Sequence, residues 1–213
     1  MAVAESALAK SLKEQVLERN NRIEPIELVL GEATMKGAPD ARVTIIEYSD
    51  YQCRYCAKHA SKTLPRITAR YIDGGQVRYV VREFVIPNFH PRSAAASLAA
   101  LCAGDQDKYW ELHDKIFENQ TELWDEDLRN YASEIGLSPT DFNSCMEQQK
   151  HSDQITRDRD EGNEFGVKGT PSFLLGLTDP NDPGKVNVTH FIYGAQDFNY
   201  FAEQINRLLE NPD

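Results

Sequence analysis

Apolar positions recur along this chain in two rhythms, and the changes of rhythm mark the elements. Arg42 to Tyr48 is an apolar, β-branched run behind the turn Gly37-Ala38-Pro39-Asp40, which predicts a buried strand. From Cys56 the spacing changes to helical, with Ala60, Leu64, Ile67 and Tyr71 on the same face. Pro65 lies inside that helix and removes an i→i−4 bond, so a kink is expected there. Asp73-Gly74-Gly75 ends the helix, and Val77 to Val85 reads as a second strand.

Residues 91–165 are almost wholly helical in pattern. Leu98, Leu101 and Cys102 mark one helix, Trp110, His113 and Phe117 another, and Leu128, Tyr131, Ala132 and Ile135 a third. A fourth starts at Ser138-Pro139, an N-cap with Pro at N1, buries Phe142, Cys145 and Met146, and continues through Arg159 as a charged, solvated stretch. Strand character returns at Pro171 to Leu175. It appears again at Val188 to Tyr193, after the loop from Asp179 to Gly184. Phe198, Phe201, Ile205 and Leu208 line one face of a closing amphipathic helix. The order β-α-β, helical block, β-β-α predicts a three-layer α/β sheet interrupted by a helical insertion. The expected domains are a helical arm over 1–36, a sheet domain over 37–90 and 166–213, and the inserted block over 91–165. Within the arm, Leu8, Leu12 and Val16 share a stripe, which suits packing on the domain or a homo-oligomer formed through this N-terminal helix.

Composition narrows the partners. Asp and Glu outnumber Lys and Arg by 34 to 23, and a net charge of −11 argues against nucleic acid and anionic lipid surfaces. No apolar run is long enough to span a bilayer. Met1 to Lys13 has scattered charges and no apolar core, so it is not read as a signal peptide. That fits a cytoplasmic protein, or an exported one without its leader.

The chemistry lies at Cys53-Arg54-Tyr55-Cys56, which follows the first strand within five residues. Thiol–disulfide exchange needs a thiolate and a second thiol close enough to displace the mixed disulfide. Cysteines three apart on the first helical turn supply both. At a helix N-terminus the first sulfur meets unpaired N–H groups and the helix dipole, which lower a thiol pKa from about 8.5 to between about 3.5 and 7.5. Cys53 is therefore the attacking thiol and Cys56 the resolving one. A zinc site would need four ligands. Cys102 and Cys145 are isolated, the five histidines form no HxxxH pair, and Cys56 with His59 on one helix gives poor geometry, so no metal is expected.

The run Val43 to Cys56 (VTIIEYSDYQCRYC) resembles the active-site strand and helix start of DsbA-like proteins. Gly166 to Gly176 (GVKGTPSFLLG) resembles the segment carrying that family's cis-proline. Arg82-Glu83-Phe84 and the helix start at His90-Pro91 are similar as well, and the resemblance covers roughly residues 37–210. It implies a thioredoxin-like fold with an inserted helical domain, a cis bond at Pro171, and a Thr170 backbone free to pair with an extended substrate. It also implies that Glu47 is a buried acid exchanging a proton with Cys56, where residues alone allow a half-exposed strand glutamate. Arg54-Tyr55 stands where the best-known member has Pro-His, and Thr rather than Val precedes the proline; Tyr55 and Thr170 are closer to the isomerase and DsbG branches. Arg54 is expected to favour the thiolate by charge proximity. Cys102 and Cys145 are either two buried free thiols or a structural disulfide of the kind some DsbA-like proteins have. The bridge is the favoured expectation, and it points to an oxidising compartment.

The expected activity is that of a protein dithiol oxidase in the periplasm or another extracytoplasmic space. Its substrates are unfolded or partly folded proteins with thiols, its reoxidant a DsbB-like membrane partner, and its only redox group the cysteine pair, with no cofactor. Cys53, Cys56 and Glu47 carry the chemistry, and Arg54, Tyr55, Thr170 and Pro171 form the substrate side. The alternatives are a disulfide isomerase or reductase, and a chaperone whose cysteines are incidental.

Overall fold

The computed structural model describes residues 21–31 and 33–210. Its centre is a six-stranded sheet of order β1-β6-β5-β3-β4-β2, formed by β1 (Arg22–Val29), β2 (Thr34–Lys36), β3 (Val43–Ser49), β4 (Val77–Glu83), β5 (Ser172–Thr178) and β6 (Lys185–Tyr193). Only β3 and β4 pair in parallel; the other neighbours are antiparallel. Every residue of β3 and of β4 is buried, as expected for strands covered on both faces. Alternation sends Val43, Ile45, Tyr79 and Val81 into the larger core, and Ile46, Tyr48 and Val80 into the smaller core opposite.

The larger core is roofed by α1 (residues 54–72), α7 (Phe198–Glu210) and the helical block. Helix α1 changes geometry around Pro65, where a kink was expected. Arg54–Lys58 and Leu64–Ile67 are α-helical, whereas His59–Thr63 and Thr68–Ile72 are wider π turns. Pro65 has no N–H to give to Ser61, and a π turn next to it absorbs the lost bond.

The block contains α2 (Ser93–Gly104), α3 (Tyr109–Glu118), α4 (Asp125–Glu134) and α5 (Pro139–Glu147), followed by α6 (Ser152–Glu164). Ser138 caps α5 through its side chain, with Pro139 in the first turn. Cys102 on α2 and Cys145 on α5 form a disulfide, with Cα atoms 5.8 Å apart. Glu83, at the end of β4, holds this block to the sheet. Its carboxyl accepts from Ser97 (2.6 Å) and Tyr109 (2.8 Å), whose hydroxyl accepts from Tyr51 (3.2 Å).

Two expectations need correction. The arm over 1–36 lies mostly outside the described residues, and its described part is strand: β1 and β2 occupy the sheet edges. The β1 pattern is polar because an edge strand buries little. Pro25 falls within a register irregularity between Arg22 and Ile26, where a missing N–H is tolerated. The fourth helix of the block does not run through Arg159. It stops at Glu147, Gln149 takes φ +49°, and α6 begins a separate course. Nor is α6 simply solvated: it packs on the smaller core. Gly162 lets it approach so closely that a Cβ there would sit 2.7 Å from Phe84. Tyr48 donates to Glu161 (2.7 Å), and Arg82 pairs with Glu161 (3.0 Å) and Asp158 (3.7 Å).

Two stability predictions follow from this packing. Replacing Cys102 and Cys145 by Ala opens a 43-residue loop. By loop entropy that costs about 4 kcal/mol, and calorimetry should show a Tm lower by about 10 °C. Burial pushes the Glu83 carboxyl up to about 8. Since its folded pKa exceeds the unfolded value, its contribution is complete at acid pH and is lost as pH rises through about 8. Glu83→Gln should flatten the decline of Tm between pH 5 and 8; an unchanged slope would exclude Glu83 as its source.

Candidate active site

The site forms where β3 gives way to α1. Asp50 shapes the turn: its carboxylate accepts from the N–H groups of Gln52 (2.8 Å) and Ile86 (3.0 Å) and lies 3.0 Å from His90 Nδ1, while its carbonyl accepts from Cys53 N–H (3.0 Å). Three further bonds come from the helical block. Gln120 Nε2 donates to the carbonyls of Tyr51 (2.5 Å) and Cys53 (3.1 Å), and Arg92 N–H donates to Gln52 Oε1 (2.5 Å). The segment before the first cysteine is therefore fixed by polar contacts from both sides.

Cys53 is the N-cap of α1, and Cys56 lies one turn inside. Both are free thiols; Cys53 is 6% exposed and Cys56 fully buried. Across from them the Thr170–Pro171 peptide is cis, as the resemblance implied, and the Cys53 sulfur lies 3.2 Å from the Thr170 carbonyl. The Thr170 hydroxyl is buried without a hydrogen-bond partner among the described residues. Ionisation of Cys53 is favoured first by a hydrogen bond from the Cys56 thiol, then by Thr170 and the N–H groups of Cys56 and Tyr55. Together these outweigh burial and bring its pKa down to about 6. Burial, reinforced by the neighbouring sulfur, pushes Cys56 up. The two thiols are thus driven apart, Cys53 towards the thiolate and Cys56 towards the protonated form.

Arg54 differs from its expected role. Its guanidinium donates to Tyr55 Oη (2.8 Å) and covers that ring at 4.7 Å, and its charge is not among the leading causes of the Cys53 shift. Tyr55 is half-exposed beside the cysteines.

Glu47 is buried on the face of β3 that meets α1. Ser49 Oγ donates to one carboxyl oxygen (2.9 Å) and Tyr79 Oη to the other (2.7 Å). Burial raises its pKa to about 7, with Cys53 adding to the rise. The half-exposed alternative is thereby excluded. Cys102, Cys145 and His151 also bring donor atoms within 4.8 Å of one another, but the two sulfurs are bonded to each other and the bridge accounts for the cluster.

Sequence reasoning missed Asp50, Gln52, Arg92 and Gln120. Each contact pairs a side chain with a backbone group, and such contacts leave no periodicity. The Asp50-Tyr51-Gln52 stretch before the CxxC, with side chains suited to bonding nearby N–H groups, was the available signal.

A thioredoxin-like sheet with a helical insertion and a CxxC at the start of its first central helix is the arrangement of DsbA-like thiol–disulfide oxidoreductases. A family model described as Thioredoxin matches residues 30–186, and the chain belongs to that family. Disulfide bond formation protein D of Bacillus subtilis is 29% identical over 173 residues, covering 73% of this chain and 76% of that protein. Na(+)/H(+) antiporter NhaA 3 of Salinispora tropica is 32% identical over 141 residues, covering 66% of this chain. The match spans only 21% of that antiporter's length. Among solved structures, alpha-DsbA1 of Wolbachia pipientis superposes with TM-score 0.73 at 25% identity, covering 86% of this chain and 94% of that one. BdbD of Bacillus subtilis superposes at 0.71 with 23% identity, covering 89% and 98%.

Iodoacetamide labelling of the reduced protein should show Cys53 reacting with a midpoint near pH 6, as its pKa requires, while Cys56 stays unlabelled in the folded protein. A Cys53 midpoint above 8.5 would contradict the site described.

Proposed function

We propose that this protein is a DsbA-like thiol–disulfide oxidoreductase that oxidises the dithiols of unfolded or partly folded proteins in an extracytoplasmic space. The observation carrying the proposal is the split between the two sulfurs: Cys53 ionised at the N-cap of α1 beside the Thr170–Pro171 peptide, Cys56 protonated and buried one turn inside.

The oxidised protein carries the Cys53–Cys56 disulfide. A substrate thiolate attacks Cys53 Sγ, forming a mixed disulfide and releasing the Cys56 sulfur, which takes up a proton. A second substrate thiolate attacks the substrate sulfur, and Cys53 departs as a thiolate. Two electrons pass from substrate to protein, the substrate gains a disulfide, and no cofactor takes part. The easily ionised Cys53 is a good leaving group for that second step. Glu47, with a pKa near the working pH, is suited to deliver or remove the Cys56 proton. Thr170 and Pro171 form the wall against which an extended substrate would lie, with Tyr55 and Arg54 at the exposed rim. Reoxidation requires an external disulfide or quinone-linked partner of the DsbB kind. The bridge between Cys102 and Cys145 supports an oxidising compartment. Among the described residues no helix is long and apolar enough to cross a membrane.

An isomerase or reductase would use the same sulfurs starting from the reduced pair, kept reduced by another thiol donor, and a self-associating N-terminal helix would favour it; residues 1–20 lie outside the described part. Equilibration with glutathione decides between the two. A potential near −120 mV is the result expected for an oxidase, and one near −270 mV would make the protein a reductase. Cys53→Ala should abolish exchange, whereas Cys56→Ala should accumulate the mixed disulfide. A Cys53→Ala variant retaining full activity would mean that the cysteines are incidental, as in a chaperone.

A further inference from the structure

Behind Glu47 the buried polar chain continues. Tyr79 Oη donates to Glu47 Oε2 (2.7 Å) and lies 2.9 Å from His59 Nε2. His59 is on α1, three residues past Cys56 and fully buried, in contact with the rings of Phe173 (4.6 Å between centroids), Phe201 (5.2 Å) and Tyr79 (6.2 Å). Its Nδ1 has no hydrogen-bond partner among the described residues.

We infer that His59 is a positioning residue which, acting only through Tyr79, sets the direction of the hydrogen bonds reaching Glu47 and keeps that carboxyl able to ionise beside the active-site sulfurs. The inference rests on the reading of Glu47 as the proton partner of Cys56. Burial keeps the His59 ring neutral, with its pKa down at about 3. A neutral imidazole has one N–H. On Nδ1 that donor would be buried and unpaired, which is costly; on Nε2 it bonds to Tyr79. The Nε2–H form is therefore selected, and the Tyr79 oxygen becomes an acceptor towards His59. The remaining Tyr79 proton then points to Glu47, which also receives Ser49. With two donors aimed at it, the carboxylate is supported against desolvation.

The other titratable groups around this chain are Cys53 and Cys56 on α1, Tyr51 before it and His113 on α3. Tyr51 is pushed up by burial and His113 is pushed down by it, so both stay neutral at working pH. The relay therefore responds to the sulfurs.

The test begins with 15N NMR of the His59 ring in the unmodified oxidised protein. The Nε2–H tautomer is expected, and an Nδ1–H tautomer overturns the inference without any variant. Glu47 is then titrated in oxidised protein by difference infrared spectroscopy of the carboxyl band, with Glu47→Gln as the blank. His59→Phe keeps the aromatic packing and removes the donor, and should move the Glu47 midpoint to higher pH. Tyr79→Phe, which deletes a bond to the carboxylate itself, should move it up by about one pH unit. The double variant should match Tyr79→Phe alone, because His59 acts only through that hydroxyl. No shift in His59→Phe, or additive shifts in the double variant, overturns the inference. None of these readings needs turnover. An unmodified protein that fails to exchange disulfides would sink the proposed function while leaving the relay intact.

Discussion

Cys53 has to carry negative charge while only 6% exposed, so water alone cannot stabilise it. The protein supplies donors instead: the Cys56 thiol and the N–H groups of Cys56 and Tyr55 at the first turn of α1, with Thr170 adding to their effect. These donors are useful only if the sulfur stays where they point. That requirement explains the density of polar contacts on the short segment from Asp50 to Cys53, which is tied to the 86–90 loop by Asp50 and to the helical block by Gln120 and Arg92. The sulfur's charge and the insertion's placement are two sides of one constraint.

The sheet face that packs beneath the helix bearing the sulfurs also carries buried acids. Strand alternation puts Glu47 and Glu83 towards α1 and the helical block, where burial raises both pKa values. They serve different ends. Glu83, held by Ser97 and Tyr109, remains protonated at neutral pH and joins helices to strand. Glu47, which like Glu83 has a donor at each oxygen but lacks the upward push of Asp158 and Asp50, is poised closer to ionisation and stands by the thiols. The difference lies in what surrounds each carboxyl, since both are equally enclosed.

Much of this was legible beforehand, for identifiable reasons. β3 and the CxxC helix read clearly because both faces of β3 are buried and the apolar run is unbroken. The strands at the sheet edges did not, since β1 buries one side in part and is interrupted near Pro25. The break between α5 and α6 was hidden because Gln148 to His151 has neither Gly nor Pro; Gln149 takes the left-handed conformation without the residue that usually signals it. The buried face of α6 was missed because it docks through Asp158, Glu161 and a glycine, which look like a solvated pattern. At the site, the sulfurs and Pro171 stood out by residue type, whereas Asp50, Gln120 and His59 matter for where they point.

The direction of electron flow depends on an asymmetry already visible in these contacts. The hydrogen bonds that favour the Cys53 thiolate exist only when the pair is reduced; a disulfide sulfur accepts them poorly. Each donor thus stabilises the reduced protein relative to the oxidised one and makes the disulfide a stronger oxidant. Burial of Cys56 works the other way on its own ionisation, yet it keeps a proton on the sulfur that donates to Cys53. Gln120 and Arg92 touch the peptide groups of residues 51–53 and the Gln52 side chain, leaving the sulfurs to others. Variation in the insertion would therefore alter where Cys53 sits and what can reach it, while the donors on α1 and at Thr170 govern how readily it holds charge.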